Sequence, residues 1–367
     1  MPGLRLKCSM LRYHFVFPSI MNKIVRAVAK YSLVLFFIVM CYKIFVPRRY
    51  PAPPVERRKG TKFMQLSTGS RIAYTMLEGT GKKKPSPIIY LHGGPGGYRS
   101  DKIIEIFSTF ASEGYDVILY DQIGGGESGR LDKIKEYTVD RHVNDLHEII
   151  TQSGYKKAIL IAQSWGGVLA VYYVSRYSGD IEKIVFANPG PIYPYPERLN
   201  EVMAPDSLQL KSPVFTNAQG NAKSNNVRTK VMKYVAIHFG IKLASDDEAD
   251  AFSTYAAYEI NKSTVYDTSK TERITAVASA PRSGYYAGIM TFKNLIESKN
   301  PRPQLKNIDI PVLVLKSQYD NQIWGGTNEY LEIFKRHQFK IIPNAGHFIT
   351  REQPELFLKY IRDFLHD

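Results

Sequence analysis

Along residues 61–189, short apolar runs alternate with segments of helical spacing. Pro87–Leu91 (PIIYL), Asp116–Tyr120 (DVILY), Ala158–Ala162 (AILIA) and Ile184–Ala187 are short and mostly apolar, as strands buried on both faces must be. Between them, Asp101–Ser112 carries Ile103, Ile104, Ile106, Phe107 and Phe110 at helical spacing. Val139–Ser153 places Val143, Leu146, Ile149 and Ile150 on one side, and a third helix is expected from Trp165 to about Tyr177. Pro311–Leu315 (PVLVL) and Lys340–Ile342 predict two further strands, and Pro354 to about Phe364 a C-terminal helix. Ahead of this series, Phe63–Leu66 and Arg71–Leu77 flank Thr68-Gly69-Ser70, an expected antiparallel hairpin. Strands alternating with helices predict an α/β fold, a mostly parallel sheet with helices on both faces. The alternation stops between about Gly190 and Lys306, a stretch rich in helix formers, Tyr and polar residues. It reads as a helical cap inserted between two strands. The expected organisation is an N-terminal segment (1–60), a first core part (61–189), the cap (190–306) and a second core part (307–367).

The N-terminal segment has a different pattern. Tyr31 to Val46 reads YSLVLFFIVMCYKIFV, and extension back to Ile24 gives enough helix to span a hydrocarbon core of about 30 Å. Arg26 and Lys30 would snorkel at one end and Lys43 at the other. An uncleaved single-pass anchor is the favoured reading. A cleaved export signal and a buried helix are the alternatives, and no small-x-small cleavage site follows the run. Both flanks are basic, so the positive-inside rule leaves orientation open. Pro47, Pro51, Pro53 and Pro54 then predict a stiff, extended linker.

Composition changes this picture in two ways. The formal charge of +15 invites a nucleic-acid partner, but residues 1–60 hold twelve Lys or Arg against the single acid Glu56. The body is left near +4, without a basic helix interleaved with aromatics, and nucleic-acid binding is not expected. The two cysteines, Cys8 and Cys41, both precede the body. A disulfide framework, a cysteine zinc site and a cysteine nucleophile there are excluded. No metal or cofactor is expected, and the oligomeric state is left open.

Chemistry concentrates in four places. Ala162-Gln163-Ser164-Trp165-Gly166-Gly167 follows a strand and opens a helix, the setting in which a sharp turn projects its central serine above the strand ends. Ala162 stands where glycine is usual, the least costly departure. His92-Gly93-Gly94-Pro95-Gly96-Gly97 directly follows the strand ending at Leu91, and its glycines let backbone N–H groups reach a developing oxyanion. The backbone N–H groups of Gly94 and Trp165 are the expected donors, with His92 orienting the loop. A serine needs a base, and the base needs an orienting acid. Asp320 and His347 each follow a predicted strand, in the chain order Ser, Asp, His that such folds use. The expected catalytic set is Ser164, Asp320 and His347. His142, His147, His238, His337 and His366 fall on predicted helices or in the insert and read as exposed or packed.

These residues resemble the prolyl aminopeptidase (proline iminopeptidase) branch of the α/β-hydrolases. His92–Gly97 is similar to its HGGPGG, Asp121–Ser128 to its DQxGxGxS, and Gln163–Gly167 to its GSWGG. The resemblance covers roughly Phe63 to Asp367. It implies cap carboxylates that bind a free N-terminal amine. One belongs to a Trp-x-x-Trp-Glu motif, which Tyr255-Ala256-Ala257-Tyr258-Glu259 resembles with Tyr for both Trp. Ser245 and Glu248 form a capping-box pattern, so a helix starting at Asp246 would put Tyr255, Tyr258 and Glu259 on one face. Glu259 near the helix C-terminus would seek a cation, either a substrate ammonium or Lys262. Where the family has a second acid, Arg282-Ser283-Gly284-Tyr285-Tyr286 has none. The expected activity is a serine aminopeptidase or amidase acting on a small molecule or short peptide. The alternative is an esterase, lipase or lactonase with the same triad, and the third reading is a non-catalytic membrane-tethered binding protein. Relatives that open epoxides or remove halides use Asp at the Ser164 position.

Overall fold

The computed structural model describes residues 16–212, 217–267, 269 and 281–367. It divides into two units, residues 1–47 and 48–367. The described part of the first is one helix, α1 (Val16–Phe45). Its stretch Met21–Phe45 is 25 residues long, apolar and unburied, and at about 1.5 Å per residue it is long enough to cross a membrane. Cys41 is free, and Cys8 lies outside the described residues.

The second unit is built on one eight-stranded sheet, β1 (Lys62–Gln65), β2 (Arg71–Leu77), β3 (Ile88–Leu91), β4 (Val117–Tyr120), β5 (Ala158–Gln163), β6 (Ile181–Ala187), β7 (Val312–Ser317) and β8 (His337–Ile342). Their spatial order is β1-β2-β4-β3-β5-β6-β7-β8. The β1–β2 and β2–β4 pairs are antiparallel, and every other pairing is parallel. The period of two dictates the layers. Ile89, Leu91, Ile118, Leu160, Ala162, Phe186 and Val314 point into one core cluster. Their neighbours Ile88, Tyr90, Val117, Leu119, Ile159, Ile161 and Leu315 point into the other. The second is covered by α2 (Asp101–Ser112), through Ile103, Ile106, Phe107 and Phe110. The first is covered by α3 (Val139–Gln152) and α4 (Trp165–Tyr177).

Between β6 and β7 the described regular elements are all helical: α5 (Asn217–Ser224), α6 (Val227–Phe239), α7 (Asp246–Asn261), α8 (Tyr285–Ile296), α9 (Arg302–Leu305) and short 3-10 turns. Residues 213–216, 268 and 270–280 of the expected cap lie outside the described residues. After β7 come α10 (Trp324–Ile333), α11 (Ile349–Glu352) and α12 (Pro354–His366). α12 packs Phe357, Leu358, Ile361 and Phe364 on the α2 side of the sheet.

Two expectations are corrected. His337 is not helical; it opens β8, an edge strand whose half-exposed pattern hides it from an apolar-run search. The capping box at α7 is only half formed. The Ser245 side chain accepts from Glu248 N–H, but the Glu248 carboxylate turns to Arg228 at 2.5 and 2.6 Å. A buried guanidinium fork outcompetes a single backbone N–H for it.

Candidate active site

Ser164 stands between β5 and α4 with φ 54° and ψ −119°. A side-chain-bearing residue is strained there, and the turn is held from both ends. Ser164 N–H donates to Ala187 C=O at 3.1 Å, and its carbonyl accepts from Gly167 and Gly190 N–H at 2.9 and 3.0 Å. Gly166 must lack a side chain, because a Cβ would lie 2.1 Å from Leu91 O. The elbow is therefore wedged against the end of β3.

His347 and Asp320 come from loops after β8 and β7. His347 Nδ1 and Asp320 Oδ1 are 2.6 Å apart and both side chains are buried. The Nδ1 proton points at the carboxylate, which leaves Nε2 as the basic nitrogen. Ser164 and His347 line one cavity, together with Gly94, Tyr255 and Tyr258. Asp320 lies behind His347 and does not line it.

A buried carboxylate should resist ionisation, but Asp320 goes the other way. Burial pushes its pKa up; the Lys316 ammonium, followed by His347, overrides this and brings it to about 2. Lys316 Nζ donates to Asp320 Oδ2 and to Gln322 C=O, both at 2.6 Å. No motif marks Lys316, although a cation inside PVLVLKS is itself a signal, since a buried charge demands a partner. Asn188 also lies outside every motif. It is fully buried at φ 44°, and its amide donates to Ser317 Oγ at 2.8 Å and His347 C=O at 2.9 Å while accepting from Ser317 N–H at 2.7 Å. It ties the ends of β6 and β7 to the histidine loop.

The expected oxyanion donors are positioned by the second motif. Trp165 is the first residue of α4, so its N–H has no carbonyl one turn earlier. Gly94 is exposed at φ 58°. Gln122 links their segments: its N–H donates to His92 Nε2 at 3.0 Å, its amide donates to His92 C=O at 3.1 Å, and its Oε1 accepts from the Trp165 indole at 2.7 Å. His92 Nε2 accepts, so the ring is neutral with its proton on Nδ1, 3.1 Å from Gly93 O. Burial lowers its pKa accordingly. Asp121 is fully buried between Arg58 at 2.7 Å and Arg99 at 2.5 Å. The Asp121-Gln122 pair thus ties the loop after β3 to the loop after β4 and to the start of α4. His142 packs edge-on to Trp165 at 5.8 Å.

On the cap, Tyr255 and Tyr258 face the cavity, whereas Glu259 is absent from its lining. The Glu259 carboxylate is 2.8 Å from Lys262 Nζ, the local pairing that i,i+3 spacing offers. Arg282–Tyr286 brings no acid, but Asp250 of α7 sits beside it. Its carboxylate accepts from Tyr285 N–H at 2.8 Å, at the N-terminus of α8, and pairs with Arg130 at 2.7 Å. It is buried and outside the lining. The cavity encloses about 2060 Å³, with walls that include Phe252, Ile289 and Phe292. Ligand pockets usually enclose about 300–1,000 Å³.

Comparison with known proteins agrees with this layout. Residues 86–354 match the family model of the alpha/beta hydrolase fold. A proline iminopeptidase from Heyndrickxia coagulans is 23% identical over 304 residues, covering 82% of this chain and 96% of that protein. Epoxide hydrolase 3 from Xenopus tropicalis is 22% identical, covering 78% and 73%. Among solved structures, an esterase from Exiguobacterium antarcticum superposes with a TM-score of 0.54 at 16% identity, covering 83% of this chain and 99% of its own.

Proposed function

The chain belongs to the α/β-hydrolase fold family, and on that premise we propose that it is a serine hydrolase acting through an acyl-enzyme. Ser164 Oγ attacks a substrate carbonyl as His347 Nε2 takes its proton. Asp320 holds the imidazole by Nδ1 and offsets the charge it gains. The backbone N–H groups of Gly94 and Trp165 receive the oxyanion, each worth about 10²–10³ in rate in comparable sites. Imidazolium then protonates the leaving group, and water, deprotonated by the same histidine, releases the acid. The observation that carries the reading is the His347–Asp320 bond of 2.6 Å behind a serine strained at φ 54° on the same cavity. An aspartate-nucleophile epoxide opening is disfavoured because serine occupies the elbow.

For substrate class, we read the cavity as built for a neutral acyl group, ester or amide. Glu259 is committed to Lys262, and Asp250 to Arg130 and Tyr285. Of the wall's own acids, Glu352 accepts from Gly346 and Tyr266 N–H, Asp267 accepts from Ser269 N–H, Glu297 pairs with Lys293, and Asp101 sits in the first turn of α2, where the helix N-terminus offsets its charge. A second reading, removal of an N-terminal residue, is favoured by the relatives named proline iminopeptidase and by Tyr255 and Tyr258 in the wall. Met21–Phe45 is read as an uncleaved anchor.

The test uses full-length protein in detergent. Fluorophosphonate should label the wild type and not Ser164→Ala; absence of wild-type labelling would sink the hydrolase reading. A panel of acyl esters and aminoacyl-naphthylamides separates the substrate classes. Aminoacyl turnover that collapses in Glu259→Gln would put removal of an N-terminal residue ahead of neutral acyl hydrolysis.

A further inference from the structure

The segment that follows α1 in sequence is part of the site. Arg48 N–H donates to Glu248 Oε1 at 2.9 Å, and Glu248 is itself clamped by buried Arg228. The Tyr50 ring packs 5.1 Å from Phe252 and 6.2 Å from Tyr255, stacked at 25° on the latter, and its hydroxyl accepts from Asn226 at 3.3 Å. Pro51 and Pro53 line the catalytic cavity. Arg58 ends the run, buried on Asp121 at 2.7 Å and Glu127 at 3.2 Å. Three prolines, Pro51, Pro53 and Pro54, fix φ along the middle, so the strap is stiff before any substrate arrives.

Tyr50 reaches Phe252 and Tyr255, two residues that line the cavity themselves. The strap's apolar middle therefore continues the aromatic wall of α7. This strap has no catalytic group of its own; what it adds is apolar surface to the cavity that Ser164 also lines.

We propose that Pro51 and Pro53, held in place by Tyr50 packed on Phe252 and Tyr255, form a specificity wall of the cavity that selects substrates with an extended apolar acyl chain. The inference rests on the serine-hydrolase reading and adds to it the chain that the site accepts. Each methylene buried against such a wall raises kcat/KM by up to about fourfold, so selectivity is read as a chain-length profile.

The experiment is a series of p-nitrophenyl esters from acetate to decanoate, hydrolysed by full-length protein in detergent. It compares wild type, Tyr50→Ala, Tyr50→Phe and Pro51→Gly/Pro53→Gly. Wild type should prefer decanoate. The decanoate-to-acetate ratio of kcat/KM should fall at least fivefold in Tyr50→Ala and in the double glycine variant, and recover in Tyr50→Phe, which keeps the ring. A flat wild-type profile, an unchanged ratio, or an equal loss on every ester would overturn the proposal; the last outcome means a purely structural strap. Fluorophosphonate labelling of the same samples separates the two levels. Labelling with a flat profile removes the strap inference alone, and no labelling removes the hydrolase reading together with it.

Discussion

Replacing Lys316 by Met removes a charge from behind the Asp320–His347 pair while keeping the length and packing of the side chain. Lys316 is 1% exposed, and its ammonium is 2.6 Å from Asp320 Oδ2. Asp320 titrates near pH 2, below its usual 3.8, because Lys316 and His347 together outweigh the burial that would raise it. Such a depression corresponds to about 2 kcal/mol of native-state stability. A carboxyl whose folded pKa is depressed stabilises the protein above its unfolded pKa, near 4, and the stabilisation is lost as pH falls from there toward 2. In Lys316→Met the burial is opposed by His347 and the Gln322 N–H, without the ammonium, so the carboxyl titrates at higher pH. At pH 7 the buried carboxylate that has lost its ion-pair partner should cost about 3 kcal/mol of stability. Between pH 4 and 7 the acid limb of kcat/KM should move up by about one unit. Turnover at pH 7 should drop about 10- to 100-fold, short of the ~10⁴ lost when a triad aspartate becomes an amide. Urea unfolding at pH 7 and a pH–rate profile on an activated ester measure both effects. An unmoved acid limb with stability within about 0.5 kcal/mol of wild type would refute the role assigned to Lys316.

Asn188→Ala leaves Ser317 N–H without its side-chain partner and His347 C=O with only the longer bond from the Gln163 amide at 3.4 Å. It should cost about 3 kcal/mol in thermal or urea unfolding, with kcat falling more than KM rises as the histidine loop loosens. Gly284→Ala would put a Cβ 1.7 Å from Gly124 O. The two loops must part, so soluble yield or unfolding temperature should drop; unchanged stability would show that the contact is not formed in solution.

The alternating layers were legible because one elementary rule fixes them. Strands buried on both faces must be largely apolar, as β3 and β4 are along their whole length and β5 and β7 are up to Gln163 and Lys316 at their carboxyl ends. Of the edge strand β8, Lys340–Ile342 was legible and His337–Phe339 was not, because this partly exposed first half carries no apolar run. The positions of Ser164, Asp320 and His347 could be read from their place after strands. Lys316 and Asn188 could not, because their role comes from what three strand ends bring together, a non-local fact. Glu259 shows the opposite failure. Helix periodicity correctly gave its neighbourhood, yet left the choice between a ligand and Lys262 to packing, and the structure places Lys262 on it.

The glycines between the loops have a practical consequence. Gly284 N–H donates to Gly96 O at 2.7 Å, Gly126 N–H donates to Arg282 O at 3.0 Å, and a Cβ on Gly125 would lie 2.0 Å from Gly97 O. Main chain rests on main chain where the insert meets the two loops that carry Gly94 and Gln122. The insert is therefore not an interchangeable module. A chimera that borrowed another hydrolase's insert would have to supply a bare backbone at this seam, or it would misplace the loops that carry Gly94 and Gln122 while leaving Ser164, His347 and Asp320 untouched.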